Sequence, residues 1–335
     1  MRKSFLIIVC LTLIALSSIG MFNFNKTFAE ASAKSEIAME LTTGKVLIEG
    51  NADAQLPMAS TTKILTAIII IEDCNLDEVI TVPDEAVGAE GSSIYLKQGE
   101  EIDLRDLLYG LMLRSGNDSA AALAIHHSGS IENFAKVMTE RAKQMGAENS
   151  NFKNPSGLPD NEHYTTARDL CKIACYAMKN ETFAKIVGTT NYNGKFRSFS
   201  SKNKMLNLYE GANGVKTGYT LKAGRCLVSS AEREGMDVVC VVLNCPDMYE
   251  RSCEIFDDCF SNYKLLKLNK DKVFMCDNVL CKLRENENIV VKSDIDINFK
   301  VKSIDSNNPD NDDAVAELEI YNENDLLFST KLYSI

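Results

Sequence analysis

The pattern of apolar positions changes twice along the chain. Short alternating stretches come first, then long segments whose apolar residues recur every three or four positions, and the last third returns to short alternating stretches. Alternation is typical of strands, and a spacing of three or four is typical of helices. We therefore predict an α+β protein with strands, a helical middle part, strands again, and a small β module.

The first strands are expected to form a hairpin, because residues 36–41 and 45–48 are separated by the turn Thr42-Thr43-Gly44. A second strand pair is expected at residues 226–230 and 237–243. Strands from the start and the end of this first part can pair in one antiparallel sheet that carries the helices.

The longest apolar run, residues 61–71, contains four consecutive isoleucines that favour a strand by propensity. Its length favours a helix that is buried on all sides, and we predict a helix. Further helices are expected to begin at Asp103, Asp118, Ser130 and near Thr166. One more helix is predicted over residues 252–266, and late strands are predicted at residues 288–292, 297–301, 315–320 and 326–332.

The N-terminus has the pattern of a signal peptide. Arg2 and Lys3 precede an apolar stretch over residues 6–19, and small residues follow. A retained membrane anchor is the alternative, but the apolar stretch is short for a span of about 20 residues. We predict a signal peptide over residues 1–29, with cleavage as late as residue 33, and an exported protein. The main domain is then expected at residues 34–268 and a small β domain at 269–335.

Composition excludes some classes of function and leaves one question open. The chain has 335 residues, 45% of them hydrophobic, and a net charge of −11, which argues against a nucleic-acid partner. Of its eleven cysteines, the ten left after removal of the signal peptide could form disulfides or remain buried thiols, and the sequence favours neither. No CxxC spacing occurs and only three histidines are present, so we expect no metal and no cofactor. The acidic segment 306–313 lacks calcium-loop spacing and is predicted to be a solvated turn.

Candidate chemistry begins where the buried run begins. Ser60 and Lys63 are three residues apart, so in a helix both side chains lie on one face. An amine against apolar walls has a lowered pKa and can accept the proton of a nearby hydroxyl. Backbone N–H groups at the start of the helix can then stabilise an oxyanion. Alone, this pattern is also typical of a plain N-cap with an exposed lysine.

Two later motifs make the chemical interpretation stronger. Ser115 and Asn117 lie between two predicted helices, where a hydroxyl can relay a proton and an amide can hold a peptide group. Lys216, Thr217 and Gly218 lie at a predicted strand start, where a lysine and a hydroxyl can bind a carboxylate. Each motif could be a cap or a turn, but the three in this order are typical of penicillin-binding proteins and β-lactamases.

The chain resembles the low-molecular-mass penicillin-binding proteins, the serine-type D-alanyl-D-alanine carboxypeptidases of peptidase family S11. The likeness runs from about Glu36 to Leu332 and includes the segments FKNPSGL at 152–158, YTTARDL at 164–170 and GVKTGYTLKAGRCLVSSA at 214–231. It implies a β-lactamase/transpeptidase-like domain, an antiparallel sheet with helices on both sides, followed by a small all-β domain.

The resemblance also implies roles for residues. Ser60 would form the acyl-enzyme, Lys63 would accept its proton and Ser115 would relay that proton. Substrate binding would use Asn117, Lys216, Thr217, Gly218, Tyr219 and Arg251, with the terminal carboxylate near Lys216, Thr217 and Arg251. The N–H groups of Ser60 and Tyr219 would form the oxyanion hole. The implied partners are peptidoglycan stem peptides ending in D-Ala-D-Ala, and β-lactam antibiotics as acylating inhibitors.

The sequence departs from this family at two places. Ser156 stands where the family usually has histidine, and we expect little effect on the chemistry. The sequence shows no amphipathic helix after its last strand, so we expect membrane contact only if the N-terminal segment is retained.

Several rival functions are open to test. A class A-like β-lactamase shares the three motifs, but Glu162 lacks the Glu-x-x-x-Asn pattern, Gly116 replaces an aspartate, and the β module is extra. A transpeptidase would be expected to carry an additional large domain. The histidines follow no Ser-His-Asp pattern. A catalytically inactive wall-binding protein is the alternative from a different class.

Overall fold

The computed structural model describes residues 33–304 and 313–335. The predicted signal peptide and most of the acidic segment 306–313 lie outside the described residues. Eight α-helices occur in the described part of the chain: α1 (Lys63–Asp73), α2 (Leu104–Tyr109), α3 (Asn117–Ser128), α4 (Ile131–Gln144), α5 (Ala167–Met178), α6 (Glu181–Gly188), α7 (Met205–Leu208) and α8 (Met248–Asn262).

Sixteen strands accompany these helices within the same described residues. They are β1 (Ser35–Glu40), β2 (Val46–Gly50), β3 (Val79–Thr81), β4 (Glu101–Asp103), β5 (Asn191–Asn193), β6 (Ser198–Ser200), β7 (Ala212–Thr220), β8 (Gly224–Arg233), β9 (Met236–Leu243), β10 (Tyr263–Leu268), β11 (Phe274–Cys276), β12 (Val279–Lys282), β13 (Glu287–Lys292), β14 (Ile297–Ser303), β15 (Ala314–Asn322) and β16 (Asp325–Ser334).

The central sheet has five antiparallel strands in the order β2-β1-β9-β8-β7. The predicted N-terminal hairpin is therefore confirmed, and β1 pairs with β9, so strands from both ends of this part of the chain share one sheet. β7 is an edge strand, which leaves its outer side open to the helical part of the molecule.

The two faces of this sheet belong to two different cores. Along β9, Val239, Val241 and Leu243 point into one core, and Val238, Cys240 and Val242 point into the other. This alternation follows from the period of two in a strand. The first core contains α1 and α5, and α8 packs on the opposite face against β8 and β9. The predicted antiparallel sheet with helices on both sides is confirmed.

Helix α1 is the centre of the first core, and its residues 63–70 are all buried. The isoleucine run is thus helical, as its length indicated, and tertiary packing overrides its strand propensity. A short 3-10 turn, Ala59–Thr62, precedes α1 and carries Ser60. The predicted caps at Asp103 and Ser130 are also observed, because each accepts a backbone N–H of the first helical turn, and Thr166, near which a helix was expected to begin, caps α5 in the same way.

The helix predicted over residues 252–266 is wrong in its last turn. α8 ends at Asn262, and residues 263–268 form β10, which pairs with β13. In this strand the side chains of Tyr263 and Leu265 contact the sheet core, while Leu266 and Leu268 contact a third core in the C-terminal part. Two adjacent leucines fit a helix equally well in sequence, and only the strand partner decides between them.

The C-terminal part is built from strands, as predicted. β11-β12-β16-β15-β14 form a second antiparallel sheet, and β10-β13 form a separate pair. The β10-β13 pair connects the two parts, because Val290 packs into the core beside α8 and its neighbours Ile289 and Val291 pack into the third core. Lys45 in the first part also donates to the carbonyl of Val290 at 2.8 Å. The predicted domain boundary at residue 268 stays a prediction.

The cysteines form no disulfide within the described residues, and ten thiols lie there. Seven of them are buried, and burial raises the pKa of the Cys226 thiol to about 11. The structure therefore favours the second of the two alternatives, buried thiols that behave as small apolar side chains. Separately, none of the helices in the described residues has the length and apolar character needed to cross a membrane.

We predict that the protein, purified without reductant and unfolded in guanidinium chloride, will be alkylated at every cysteine. The reason is that no disulfide joins any of the ten cysteines in the described residues. Mass spectrometry after iodoacetamide treatment measures the labels, and a sample reduced first serves as the control. Cysteines that become reactive only after reduction would contradict the thiol assignment.

Candidate active site

The 3-10 turn that carries Ser60 is held from two sides. An added Cβ on Gly157 would lie 1.9 Å from the carbonyl oxygen of Ala59, so the loop that contains Gly157 touches the backbone of this turn. On the other side, an added Cβ on Gly218 of β7 would lie 3.0 Å from the amide nitrogen of Ser60. Both glycines are therefore required by close backbone approach.

Lys63 has no exposed surface, and its amine has three polar neighbours. The Nζ atom lies 3.0 Å from Oγ of Ser60, 2.7 Å from Oδ1 of Asn117 and 2.6 Å from the carbonyl oxygen of Ser156. Burial lowers the pKa of Lys63 well below its usual value, and the charge of Lys216 lowers that pKa further. The buried carboxylate of Asp118 acts in the opposite direction but has the smaller effect.

This geometry gives a neutral amine a defined orientation. A neutral amine has two hydrogens, and the Asn117 and Ser156 oxygens are acceptors that can take both. Its lone pair is then left to face Oγ of Ser60, which can donate its proton at 3.0 Å. The predicted pairing of Ser60 with Lys63 is thus present as a hydroxyl beside a buried base.

The Ser115-Gly116-Asn117 segment connects a helical turn to α3. Ser115 is in the left-handed region, with φ at +64°, and it ends the π-helical turn Gly110–Arg114. Asn117 is buried, donates its side-chain N–H to the carbonyl of Glu90, and accepts from Lys63. The structure therefore brings Asn117 to the base, and Ser115 lines the same cleft as Ser60.

Lys216, Thr217 and Gly218 lie in the middle of β7, not at a strand start as predicted. The strand begins four residues earlier, where the Gly-rich segment 211–214 already pairs with β8. This position places Thr217, Gly218 and Tyr219 on the open edge strand beside the Ser60 turn. Burial, and after it the nearby charge of Lys202, lower the pKa of Lys216 to about 7.

These elements enclose a cleft of about 600 Å³. It is lined by residues of the Ser60 turn, the β3–β4 loop, the segment before α3, the segment between β6 and α7, β7, β8 and α8, namely Ser60, Ser92, Ser115, Lys202, Thr217, Gly218, Tyr219, Arg225, Met248 and Tyr249. In the described part of the chain, no three His, Cys, Asp or Glu side chains form a group that could hold a metal ion.

Arg251 is a predicted site residue that the structure places away from the cleft. It lies on α8, and its guanidinium donates two hydrogen bonds to the carboxylate of Glu36 on β1, at 2.7 and 2.9 Å, and one to Glu254. The carboxylate of Glu36 is mostly buried, so this pair connects α8 with β1. Arg225 of β8, which the sequence did not single out, lines the cleft instead.

Sequence reasoning also missed three residues around the base. The backbone carbonyl of Ser156 binds Lys63, which makes the identity of that side chain unimportant for this contact. The carboxylate of Asp118 accepts the N–H groups of Ile94 and Leu96 and so holds the loop that includes Ser92. The N-P-x-G-L segment was a sequence signal for the contact made by Ser156. No sequence signal indicated the contact between Asp118 and the loop.

His163 is the third missed residue, and its ring is buried although it lies in a loop. The imidazole is buried, lies 2.9 Å from Oγ1 of Thr62, and accepts the N–H of Lys153 at Nδ1. Burial lowers the pKa of His163 to about 4, so the ring is neutral near pH 7. Its partner is Thr62 and not Ser60, so the arrangement differs from a Ser-His pair.

The chain was compared with known proteins. Residues 23–247 match the family model described as Peptidase_S11, D-alanyl-D-alanine carboxypeptidase. The chain is a member of this carboxypeptidase family. A D-alanyl-D-alanine carboxypeptidase of Bacillus subtilis, DacF, is 36% identical over 71% of this chain and 64% of its own length. A D-alanyl-D-alanine carboxypeptidase of Streptomyces is 37% identical over 62% of this chain and 78% of its own length.

Solved structures of the carboxypeptidase family extend this finding. Penicillin binding protein 5 of Haemophilus influenzae superposes with a TM-score of 0.76 over 90% of this chain and 96% of that one, at 22% identity, which shows the fold. A D-alanyl-D-alanine carboxypeptidase of Mycobacterium tuberculosis gives a TM-score of 0.64 at 30% identity, over 68% of this chain and 90% of that chain. The match to the Bacillus relative thus spans less than two thirds of that protein, and the match to the Haemophilus structure includes the C-terminal β module.

We predict that Arg251→Met lowers the free energy of unfolding by about 2 kcal/mol, because it leaves a largely buried carboxylate on Glu36 without its partner. Urea denaturation measures this change. The control is Arg105→Met, which breaks the more exposed pair with Asp77 and should cost below about 1 kcal/mol. Equal stability of Arg251→Met and the native protein would contradict the structural role of Arg251.

Proposed function

We propose that the protein is a penicillin-sensitive serine carboxypeptidase that removes the terminal D-alanine from peptidoglycan peptides ending in D-Ala-D-Ala. One observation carries the proposal: the amine of Lys63 is fully buried and lies 3.0 Å from Oγ of Ser60. The family membership and the names of the relatives support the substrate class.

The first step is acylation of Ser60. Oγ of Ser60 attacks the carbonyl carbon of the penultimate D-alanine while its proton moves to Nζ of Lys63. The negative charge on the carbonyl oxygen is stabilised by the backbone N–H groups of Ser60 and Tyr219, which come from the 3-10 turn and the edge strand beside it. When the C–N bond breaks, the leaving amine takes a proton that returns from Lys63 through the hydroxyl of Ser115.

The second step is hydrolysis of the acyl-enzyme. A water molecule gives a proton to Lys63 and attacks the ester carbon, and Ser60 recovers its proton when the ester bond breaks. The shortened peptide then leaves with a new carboxylate. A β-lactam follows the first step in the same way, but its leaving amine remains tethered, so we expect slow turnover of penicillin and fast turnover of peptide.

The substrate's terminal carboxylate is assigned to the cationic side of the cleft. Lys216 and Thr217 lie on the edge strand next to Ser60, and Lys202 and Arg225 line the same cleft. Ammonium and hydroxyl groups bind carboxylates by charge-assisted hydrogen bonds. An extended peptide can also pair with the open edge of β7, which would fix the scissile bond over the Ser60 turn.

The position of Glu162 argues against a β-lactamase of the class A kind. Such an enzyme needs a carboxylate that activates the deacylating water beside the acyl-serine. Here the carboxylate of Glu162 is 73% exposed and lies 3.1 Å from Nζ of Lys153, on the surface. Export to the cell envelope, with peptidoglycan as the partner, is part of the same proposal and depends on the predicted signal peptide.

We predict that a fluorescent penicillin labels the native protein and fails to label Ser60→Ala. Lys63→Arg should acylate about 10² to 10⁴ times more slowly, because a guanidinium stays protonated and cannot act as the base. Stopped-flow acylation and gel fluorescence measure both. Release of free D-alanine from a pentapeptide tests the carboxypeptidase activity, and ring hydrolysis of penicillin tests the β-lactamase alternative.

A native protein that takes no label would support the inactive wall-binding alternative. Labelling of Lys63→Arg at the native rate would show that Lys63 is not the base.

We also predict that KM for the pentapeptide rises as the pH increases above about 7. The pKa of Lys216 is lowered to about 7, so its ammonium form, which binds the carboxylate, is lost above that pH. In Lys202→Met a positive charge that lowers this pKa is gone, so the rise in KM should move to higher pH. Steady-state kinetics between pH 6 and 9 measure the shift.

The control for this pH shift is Lys204→Met, an exposed lysine two residues further along the chain that does not line the cleft. A rise in KM at the same pH in Lys202→Met and the native protein would contradict the assignment to Lys216.

A further inference from the structure

The peptide unit that joins Ala59 to Ser60 is hydrogen-bonded within the protein at its carbonyl, and its N–H takes no part in the hydrogen bonds of the 3-10 turn. Its carbonyl oxygen, on Ala59, accepts the hydroxyl of Thr62 at 2.8 Å. Its N–H, on Ser60, precedes the first hydrogen bond of the 3-10 turn, which runs from Thr61 N to Met58 O. The N–H of Ser60 therefore lies outside the hydrogen-bond ladder of the turn and is available to a ligand in the cleft.

The direction of the Ala59 carbonyl and the direction of the Ser60 N–H are linked. The peptide unit is planar, so the direction of its carbonyl fixes the direction of its N–H. Any group that holds the carbonyl of Ala59 therefore also aims the N–H of Ser60. The same unit is attached to a residue in an unfavourable conformation, because Ala59 has φ at +50° without being glycine. Such a conformation persists only when its surroundings hold it in place.

The hydroxyl of Thr62 is itself held by His163. Because Oγ1 of Thr62 donates to Ala59, it must accept from Nε2–H of the imidazole, 2.9 Å away. That assignment leaves Nδ1 of His163 as an acceptor, and Nδ1 does accept the N–H of Lys153 at 3.0 Å. Two independent contacts thus require the same neutral tautomer, with the proton on Nε2. Thr62 and His163 are both buried.

We propose that Thr62 and His163 are positioning residues that orient the Ala59–Ser60 peptide unit, so that the N–H of Ser60 points at the oxyanion formed during acylation. The relay runs from His163 to Thr62 to the carbonyl of Ala59. Each hydrogen bond in such a chain polarises the next, which also makes the N–H of Ser60 a stronger donor. Neither side chain touches the substrate. This inference rests on the proposed acylation of Ser60.

The relay predicts a graded effect on the acylation rate. Thr62→Val keeps the shape of the side chain but removes the hydroxyl, which releases the carbonyl of Ala59. Loss of one oxyanion donor slows comparable enzymes about 10²- to 10³-fold, and a misdirected donor keeps part of that effect. We therefore expect acylation by penicillin to slow about 10- to 100-fold, with binding before acylation changed less than about threefold. Thr62→Ser restores the hydroxyl and should stay within about threefold of the native rate.

His163→Leu tests the second contact in the relay. It removes the donor to Thr62, but the hydroxyl of Thr62 can still donate to the carbonyl of Ala59. The acylation rate of this variant should therefore lie between the rates of Thr62→Ser and Thr62→Val. This variant also carries the test if Thr62→Val does not fold.

A comparison of two substrates distinguishes a misdirected oxyanion donor from a general loss of structure. Acylation is measured with an ester substrate ending in D-lactate and with its thionoester, in which sulfur replaces the carbonyl oxygen. Sulfur is the weaker hydrogen-bond acceptor, so an intact oxyanion hole favours the ester strongly. In Thr62→Val the ratio of ester to thionoester rates should fall about tenfold. Thr139→Val is the control, since its partly buried hydroxyl also binds backbone groups but lies outside the cleft.

The outcomes are distinct. A native protein that is not acylated overturns the proposed function and this inference together. A native protein that is acylated, with Thr62→Val and His163→Leu acylating at its rate, overturns the inference alone. The inference is also overturned if both substrates slow equally in Thr62→Val, since that result indicates a structural role only.

Discussion

The burial of one amine governs the arrangement of the candidate site. A lysine with no exposed surface is tolerated when its amine is neutral and its two hydrogens have acceptors, and the structure supplies these from Asn117 and from the backbone of Ser156. Desolvation is the largest cause of its lowered pKa, the charge of Lys216 lowers the pKa further, and the charge of Asp118 opposes both. Lys63 is the first residue of the helix whose residues 63–70 are all buried, so the same helix begins at the site and forms the centre of the first core.

Backbone contacts, more than side chains, bring the separate motifs together. Gly157 lies so close to the carbonyl of Ala59 that a Cβ would not fit. Gly218 lies against the amide of Ser60, where a Cβ would barely fit. The 3-10 turn that carries Ser60 is thereby placed between a loop and the open edge of β7. An edge strand offers unpaired backbone groups, which are a liability in most proteins and can be useful beside an extended peptide. The same edge carries Lys216, whose lowered pKa again follows from burial.

Predictions from sequence succeeded where local pattern and packing agree. The hairpin, the buried helix, the caps at Asp103, Ser130 and Thr166, and the late strands all follow from periods and capping residues that act within a few positions. They failed where a contact with a residue far away in the sequence determines the local structure. Residues 263–268 form a strand because β13 pairs with them, and Arg251 lies outside the cleft because Glu36, more than 200 positions earlier, accepts its guanidinium at 2.7 and 2.9 Å. The placement of Lys216 in mid-strand has the same origin, since the pairing of β7 with β8 begins before the motif.

The sequence by itself determined the class of fold, the order of the three motifs and the family to which the chain belongs. It also indicated the roles of Ser60 and Lys63, because their spacing on one helical face needs no tertiary information. Only the tertiary structure decided which groups surround the amine, which arginine reaches the cleft, and how the peptide unit before Ser60 is held. The physical reason is that hydrogen bonds, desolvation and electrostatic shifts depend on distance in space. Lys153, His163, Thr62 and Ala59 are joined by three hydrogen bonds, although the sequence separates the first two from the last two by about a hundred positions.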